Sequence, residues 1–253
     1  TGTSMNRDKL LALGAYGIQA VTTLSAAFVV SHLLPPQHFG QYSLVVATSQ
    51  TLTVLTSEWL RLATQRFCTS HQDGHLAQIA TVQCAFAMVC IFLAVAGLLL
   101  GATQTVSLDQ ALYGPAITML MGATDLQLVF LRVRGSFAGF ARLQAQRALL
   151  LLIGPSAGAA WLHSDQGALG GLVAGYLLSL ALFIHADPSW WRPRLSMFDT
   201  RLLKEMMRYG VAAAADNIPD NPFGHWKAPD VTVPNGAPVV PMADGGEGRV
   251  TKP

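Results

Sequence analysis

From residue 10 to residue 57 the chain contains no Asp, Glu, Lys or Arg, and the same holds for residues 74–108 and 148–164. Soluble domains carry roughly a quarter charged residues; here the figure is 12%, and those few are clustered between the apolar runs. A water-facing surface cannot be assembled from such stretches. The runs must face hydrocarbon, where backbone N–H and C=O groups are satisfied only by helices or by a closed barrel. Barrel strands alternate with period two and these runs do not. The expected fold class is therefore all-α, a polytopic membrane helix bundle.

A span needs about 20 apolar residues to cross roughly 30 Å of hydrocarbon. Six stretches qualify, near residues 10–34, 39–60, 76–100, 111–131, 145–162 and 167–185. The first is long and lacks a following small-residue cleavage site, so it reads as a retained span rather than a secretory leader. Sorting the basic residues by loop tests the count. Arg7 and Lys9 precede span one, Arg61 and Arg66 follow span two, and Arg132, Arg134, Arg142 and Arg147 follow span four. Arg192, Arg194, Arg201, Lys204 and Arg208 follow span six. The alternate loops hold none. Thirteen Lys and Arg thus fall on one side, and the remaining three sit in the far tail. This is the positive-inside pattern. It places the N-terminus, residues 1–9, in the cytoplasm, followed by a six-helix lobe over residues 10–186. Trp59 and Trp190–Trp191 fall at the inner edge of that lobe, and Trp161 and Tyr113 at the outer edge, as amphipathic rings prefer.

Residues 187–216 read as a connector and an aborted seventh span. Ser196 is a candidate N-cap. Leu202, Leu203, Met206 and Met207 form one stripe while Arg201, Lys204, Glu205 and Arg208 face away, the pattern of a helix lying on the inner membrane surface. Asp216, Asn217 and Pro219 then halt the apolar run. Residues 217–253 hold seven prolines and five glycines with no apolar period, which predicts a disordered tail. The abrupt change of composition suggests a truncated or frame-shifted chain, or a fused tail.

Ionisable groups inside a membrane are costly and default to functional candidates. Asp125 stands first. It lies six residues before Leu131, about 9 Å inside the inner edge, too deep for a short side chain to snorkel. Its structural alternative is a hydrogen bond to a neighbour such as Thr124 or Gln127. Glu58 and Arg61, three apart on one helix face, form an interfacial ion pair in the ordinary reading. In the sharper one, Arg61 and Arg66 line a cavity mouth and attract a pyrophosphate through their planar donor forks. Gln19, Gln50 and Gln83 lie within spans and can bond either a sugar hydroxyl or another helix. The patterns Gly97-x3-Gly101, Gly154-x3-Gly158 and Gly171-x3-Gly175 indicate close helix packing. His71 and His75 are four apart, but Asp73 and Gly74 favour a loop and no third metal ligand is near. The three cysteines have no metal or redox spacing. No nucleotide-binding loop, nucleophile elbow or zinc motif appears, so neither an enzyme nor a cofactor is expected, and the aromatic-flanked arginines of residues 132–147 suit anionic lipid better than nucleic acid.

Three stretches carry a family resemblance: Leu34-Pro-Pro-Gln-His-Phe-Gly-Gln-Tyr-Ser-Leu, Glu58-Trp-Leu-Arg-Leu-Ala-Thr-Gln-Arg-Phe, and Leu202-Leu-Lys-Glu-Met-Met-Arg-Tyr-Gly. Together they resemble the polysaccharide flippases of the multidrug/oligosaccharidyl-lipid/polysaccharide exporter superfamily. The resemblance implies half of a two-lobed exporter in a bacterial inner membrane, with Arg61 and Arg66 in a cationic cavity for an anionic lipid-linked sugar. Family members move two six-helix lobes against each other, and this chain supplies one. The resemblance therefore also implies a missing C-terminal lobe or a homodimer. A drug or cation antiporter of the same superfamily and a non-transporting membrane scaffold are the alternatives.

Overall fold

A computed structural model describes residues 2–68, 75–104, 106–186 and 197–216. The chain divides into two units, residues 1–214 and 215–253, and the account below concerns the first. The expected tail at 217–253, the N-cap at Ser196, the Trp190–Trp191 pair and His71 lie outside the described residues.

The fold is all-helical, with no strand among the described residues: α1 (Gly2–Leu33), α2 (Pro36–Phe67), α3 (His75–Ala102), α4 (Leu108–Val133), α5 (Phe137–Leu162), α6 (Asp165–Ala186) and α7 (Thr200–Asp216). The helix starts are legible locally. Pro36 sits in the first turn of α2, where its missing N–H goes unneeded. The Ser107 hydroxyl caps α4 by accepting from the Gln110 N–H. Asp199 caps α7: its carboxylate accepts from the N–H groups of Arg201 at 2.8 Å and Leu202 at 3.2 Å. Over residues 200–216 the expected connector and aborted span form one continuous helix. Of the expected apolar stripe, Met206 is fully buried and Met207 is 46% exposed.

Four helices among the described residues are long and apolar enough to cross a membrane: those of residues 14–33, 77–102, 109–133 and 165–185. Helices α2 and α5 fall short of that apolarity, although at 32 and 26 residues they measure about 48 and 39 Å. Their polar content explains the difference. In α2 the hydroxyls of Thr48, Ser49, Thr51, Thr53, Thr56 and Thr64 each donate to the carbonyl four residues back. A hydroxyl satisfied within its own helix asks nothing of its surroundings. In α5 the polar side chains Gln144 and Arg147 are buried.

Cross-helix contacts give the arrangement. Helix α5 packs antiparallel on α6, and α3 antiparallel on α4. Helix α1 lies beside α5, α2 beside α4, and α4 beside α6, each pair running the same way. Helix α4 touches α2, α3, α5 and α6 and is the central strut. Its most apolar stretch is 56% buried, against 11% for α1 and 17% for α3. The outward faces of α1 and α3 are apolar, with Leu24, Phe28, Phe92 and Leu98 each more than 60% exposed. Such faces suit lipid and not water.

Glycines set the closest approaches. A Cβ on Gly171 would stand 2.1 Å from the Gly154 carbonyl oxygen, and one on Gly158 would stand 2.0 Å from that of Gly167. The α5–α6 hairpin is thus in backbone contact over two turns, bearing out the packing reading of Gly154-x3-Gly158 and Gly171-x3-Gly175. Gly97 likewise makes room for Pro115, which lies inside α4.

Apolar packing falls into two clusters. One, toward the end where α1 starts, includes Leu60, Val82, Phe130, Phe140 and Met206. The other, toward the opposite end, includes Val30, Tyr42, Ile117, Leu169 and Tyr176. Trp59 packs against the first cluster and its backbone abuts Gly210, so it anchors α7 as well as marking an edge. Trp161 is 85% exposed at the far end of α5.

Gly171→Val drives a branched side chain into backbone that cannot move aside, and should cost roughly 3 kcal/mol or more in detergent unfolding. Gly40→Ala, with open space around it, should be neutral or stabilising by about 0.5–1 kcal/mol. Cys68 ends α2, is wholly buried, and has its thiol pushed up to about 12 by burial. Because only the thiolate attacks, roughly one Cys68 in ten thousand is reactive at pH 8. N-ethylmaleimide should leave it unmodified in mild detergent and modify it in SDS, as read by peptide mass spectrometry.

Candidate functional site

Between the two apolar clusters lies a layer of polar side chains drawn from four helices. Asp125 of α4 accepts a hydrogen bond from Arg147 of α5, Nη1 to Oδ1 at 2.5 Å. The Arg147 guanidinium carbon lies 5.5 Å from the centre of the buried Tyr176 ring on α6. One turn earlier on α5, Gln144 donates to Gln19 of α1, Nε2 to Oε1 at 2.8 Å. The pair is asymmetric: the Arg147 side chain is 6% exposed and that of Asp125 is 29% exposed. A guanidinium does not lose its proton in a protein. Its charge must therefore be met by a partner, and Asp125 supplies it.

This arrangement changes the sequence reading at several points. The structural alternative for Asp125, a bond to Thr124 or Gln127, is not formed. Thr124 instead donates to the carbonyls of Leu120 and Met121 in its own helix, and neither amide atom of the buried Gln127 finds a partner. Arg147 was assigned to a basic loop ahead of a span beginning near residue 145. Helix α5 begins at Phe137, and Arg147 is buried ten residues into it. The loop before α5 thus loses one of its positives, because that positive is neutralised inside the bundle. Arg147, Gln144 and Tyr176 are the members that sequence reasoning missed. A signal existed: Phe140, Leu143, Gln144, Arg147 and Ala148 recur at helical spacing and form the buried face of α5.

The other expected site residues fall in separate places. Glu58 and Arg61 form the anticipated ion pair through Arg61 Nη2 and Glu58 Oε1, at the end of the bundle where α1 starts. Arg66, further along α2, stacks its guanidinium 4.5 Å over the ring of Tyr209 in α7, and Phe67 meets the same ring edge-on. Arg66 is thereby engaged in holding α7, not grouped with Arg61. Arg132 packs over Phe140 at 5.0 Å and bonds the Tyr16 hydroxyl. Gln19 is committed to Gln144. Gln50 is exposed on α2, so it faces away from the layer.

The opposite end has its own polar contacts. His38 Nδ1 lies 2.7 Å from Asp165 Oδ1, tying the start of α2 to the start of α6. Gln166 donates to both carboxylate oxygens of Asp109 at 3.3 Å, tying α6 to α4. Among the described residues no three His, Cys, Asp or Glu side chains group as metal ligands.

Chemically, the layer holds an unreactive cation and one partly exposed carboxylate, and buried polar atoms without a partner include Gln144 Oε1, Arg147 Nε and both amide atoms of Gln127, two residues from Asp125. Such groups can bind, orient and release a polar solute. They contain no nucleophile–base pair. Searched against known families, curated proteins and solved structures, the chain matches no family model, no curated protein and no solved structure.

The asymmetry of the pair generates a prediction. Asp125→Asn strands a buried guanidinium and should lower stability by roughly 3–5 kcal/mol. Arg147→Gln leaves a carboxylate whose side chain is 29% exposed rather than buried, and should cost less than half as much. The double variant should be more stable than Asp125→Asn alone. Unfolding in SDS–detergent mixtures gives all three values, and a worse result for Arg147→Gln than for Asp125→Asn would contradict the assignment.

Proposed function

We propose that this chain is one lobe of a membrane translocase for lipid-linked oligosaccharides, working by alternating access without covalent chemistry. The observation that carries the proposal is the Asp125–Arg147 pair within a lipid-facing bundle. Charged side chains are kept at such depth where solutes or ions pass or where helices switch partners. The sequence resemblance to polysaccharide flippases narrows the solute to an anionic lipid-linked sugar. The location is the bacterial inner membrane, with α1 to α6 each crossing it and the end bearing Arg61 facing the cytoplasm. The one-sided distribution of Lys and Arg supports that orientation.

In this reading Arg61, released from Glu58, meets the pyrophosphate at the entrance, and the amide-bearing layer offers donors and acceptors to sugar hydroxyls. Exchange of Arg147 between Asp125 and the anionic solute gives the lobe two arrangements of similar energy. A second lobe, from a homodimer or from further chain, completes the cavity. A drug or cation antiporter needs an acid free to bind a cation, and Asp125 is already matched by Arg147, so that reading ranks below. The scaffold reading leaves the unused bonding capacity of the layer without a role.

The test is translocation of a fluorescent lipid-linked oligosaccharide in proteoliposomes containing the chain. Arg61→Ala should slow it about tenfold, the worth of one charge-assisted hydrogen bond. A cation exporter would tolerate that substitution, and a scaffold would show no translocation with any variant.

A further inference from the structure

We infer that an anionic phospholipid docks in the groove between α2, α3 and α7, its acyl chain in the groove and its headgroup on the basic face of α7. The groove is open and apolar, with an empty volume of about 650 Å³. Its walls include Thr56 and Trp59 of α2, Met88 and Phe92 of α3, and Leu203 and Met207 of α7. The Thr56 hydroxyl is spent on the Leu52 carbonyl, so it asks nothing of an occupant. Met88, Phe92 and Met207 are 48%, 67% and 46% exposed. Flexible thioethers beside an aromatic edge suit an irregular chain better than a rigid polar ligand. An occupant must therefore be long and apolar where it meets α3.

At the α7 end the chemistry reverses. Asp199 caps that helix, and its outward face carries Arg201, Lys204 and Arg208, all exposed. Arg201 spends its charge on Glu205 at 3.6 Å. Lys204 and Arg208 are four residues apart on one face, one turn of helix on the same side. Leu203 and Met207, which line the groove, immediately precede them. The site thus presents a hydrocarbon slot ending at two cations, which is the charge pattern of a lipid with an anionic headgroup. A zwitterionic lipid fills the slot equally well but gains nothing from the cations. Helix α7 is seated firmly enough to hold this geometry, with Met206 buried, Gly210 against the Trp59 backbone and Tyr209 between Arg66 and Phe67.

Trp59 in the wall makes the site observable. In a variant with Trp161, Trp190, Trp191 and Trp226 changed to Phe, the full chain is placed in phosphatidylcholine nanodiscs holding a small fraction of lipid with brominated acyl chains. Brominated phosphatidylglycerol should quench Trp59 at about thirtyfold lower mole fraction than brominated phosphatidylcholine, the scale set by two basic side chains near an anionic surface. Lys204→Gln with Arg208→Gln, both on an exposed face and harmless to folding, should abolish the preference while leaving quenching by phosphatidylcholine unchanged. Equal quenching by the two lipids, or a preference that survives the double substitution, overturns the inference.

Discussion

An arginine buried in an apolar bundle is the constraint on which this structure turns. Arg147 cannot shed its proton, and hydrocarbon offers it nothing. The carboxylate of Asp125 must therefore stand beside it, and that requirement fixes the rotation and height of α5 against α4. Apolar helix faces slide and turn against one another with little penalty in lipid, because tails and leucines are equally apolar. A single charged pair removes that freedom. The Gln19–Gln144 bond one turn away extends the register to α1, and the Tyr176 ring beneath the guanidinium extends it to α6.

Backbone contact supplies what the ion pair cannot. Gly154 and Gly158 meet Gly171 and Gly167 with no side chain between them, so α5 and α6 form a stiff hairpin carrying Arg147 and Tyr176 together. Helix α2 contributes differently. Its row of hydroxyls is satisfied internally; Ser49 also donates to the Gly114 carbonyl of α4, and Thr118 of α4 donates to the Ser49 carbonyl. These two bonds tie α2 to the same α4 that bears Asp125. The polar layer is thus held from both sides by closely packed helices, while Gln127, Gln144 and Arg147 keep atoms that bond nothing. Spare capacity inside a rigid frame is the property that the proposed translocase reading uses, and it separates this bundle from one packed only for stability.

The two ends differ in chemistry as the middle does from both. One end gathers arginines that are individually engaged: Arg61 with Glu58, Arg66 with Tyr209, Arg132 with Tyr16 and Phe140. The other holds carboxylates bonded to His38 and Gln166. Aromatic stacking at the arginine end seats α7, with the Arg66 guanidinium over the Tyr209 ring. The lipid groove follows from that seating, since α7 closes a gap that α2 and α3 leave open.

Much of this was legible from residue order. Charge-free runs and their breaks specified an all-helical membrane bundle, because backbone in hydrocarbon has no other open-ended solution. The small-x3-small patterns specified where helices touch, and the depth of Asp125 marked it as costly to leave alone. Partners were another matter. Asp125 and Arg147 are 22 residues apart on different helices, and reading Arg147 as a loop residue hid it, since a cation near a span's end looks the same whether it turns to water or inward. Gln50 and Gln19 sit in equally apolar runs, yet one is exposed and the other bonded across helices. Only the rotation of each helix about its axis decides that, and rotation is set by contacts with helices distant in sequence. The sequence alone determined that this chain is built of membrane helices; tertiary packing decided which of its few charges meet, because an ion pair is a property of two helices and is written in neither.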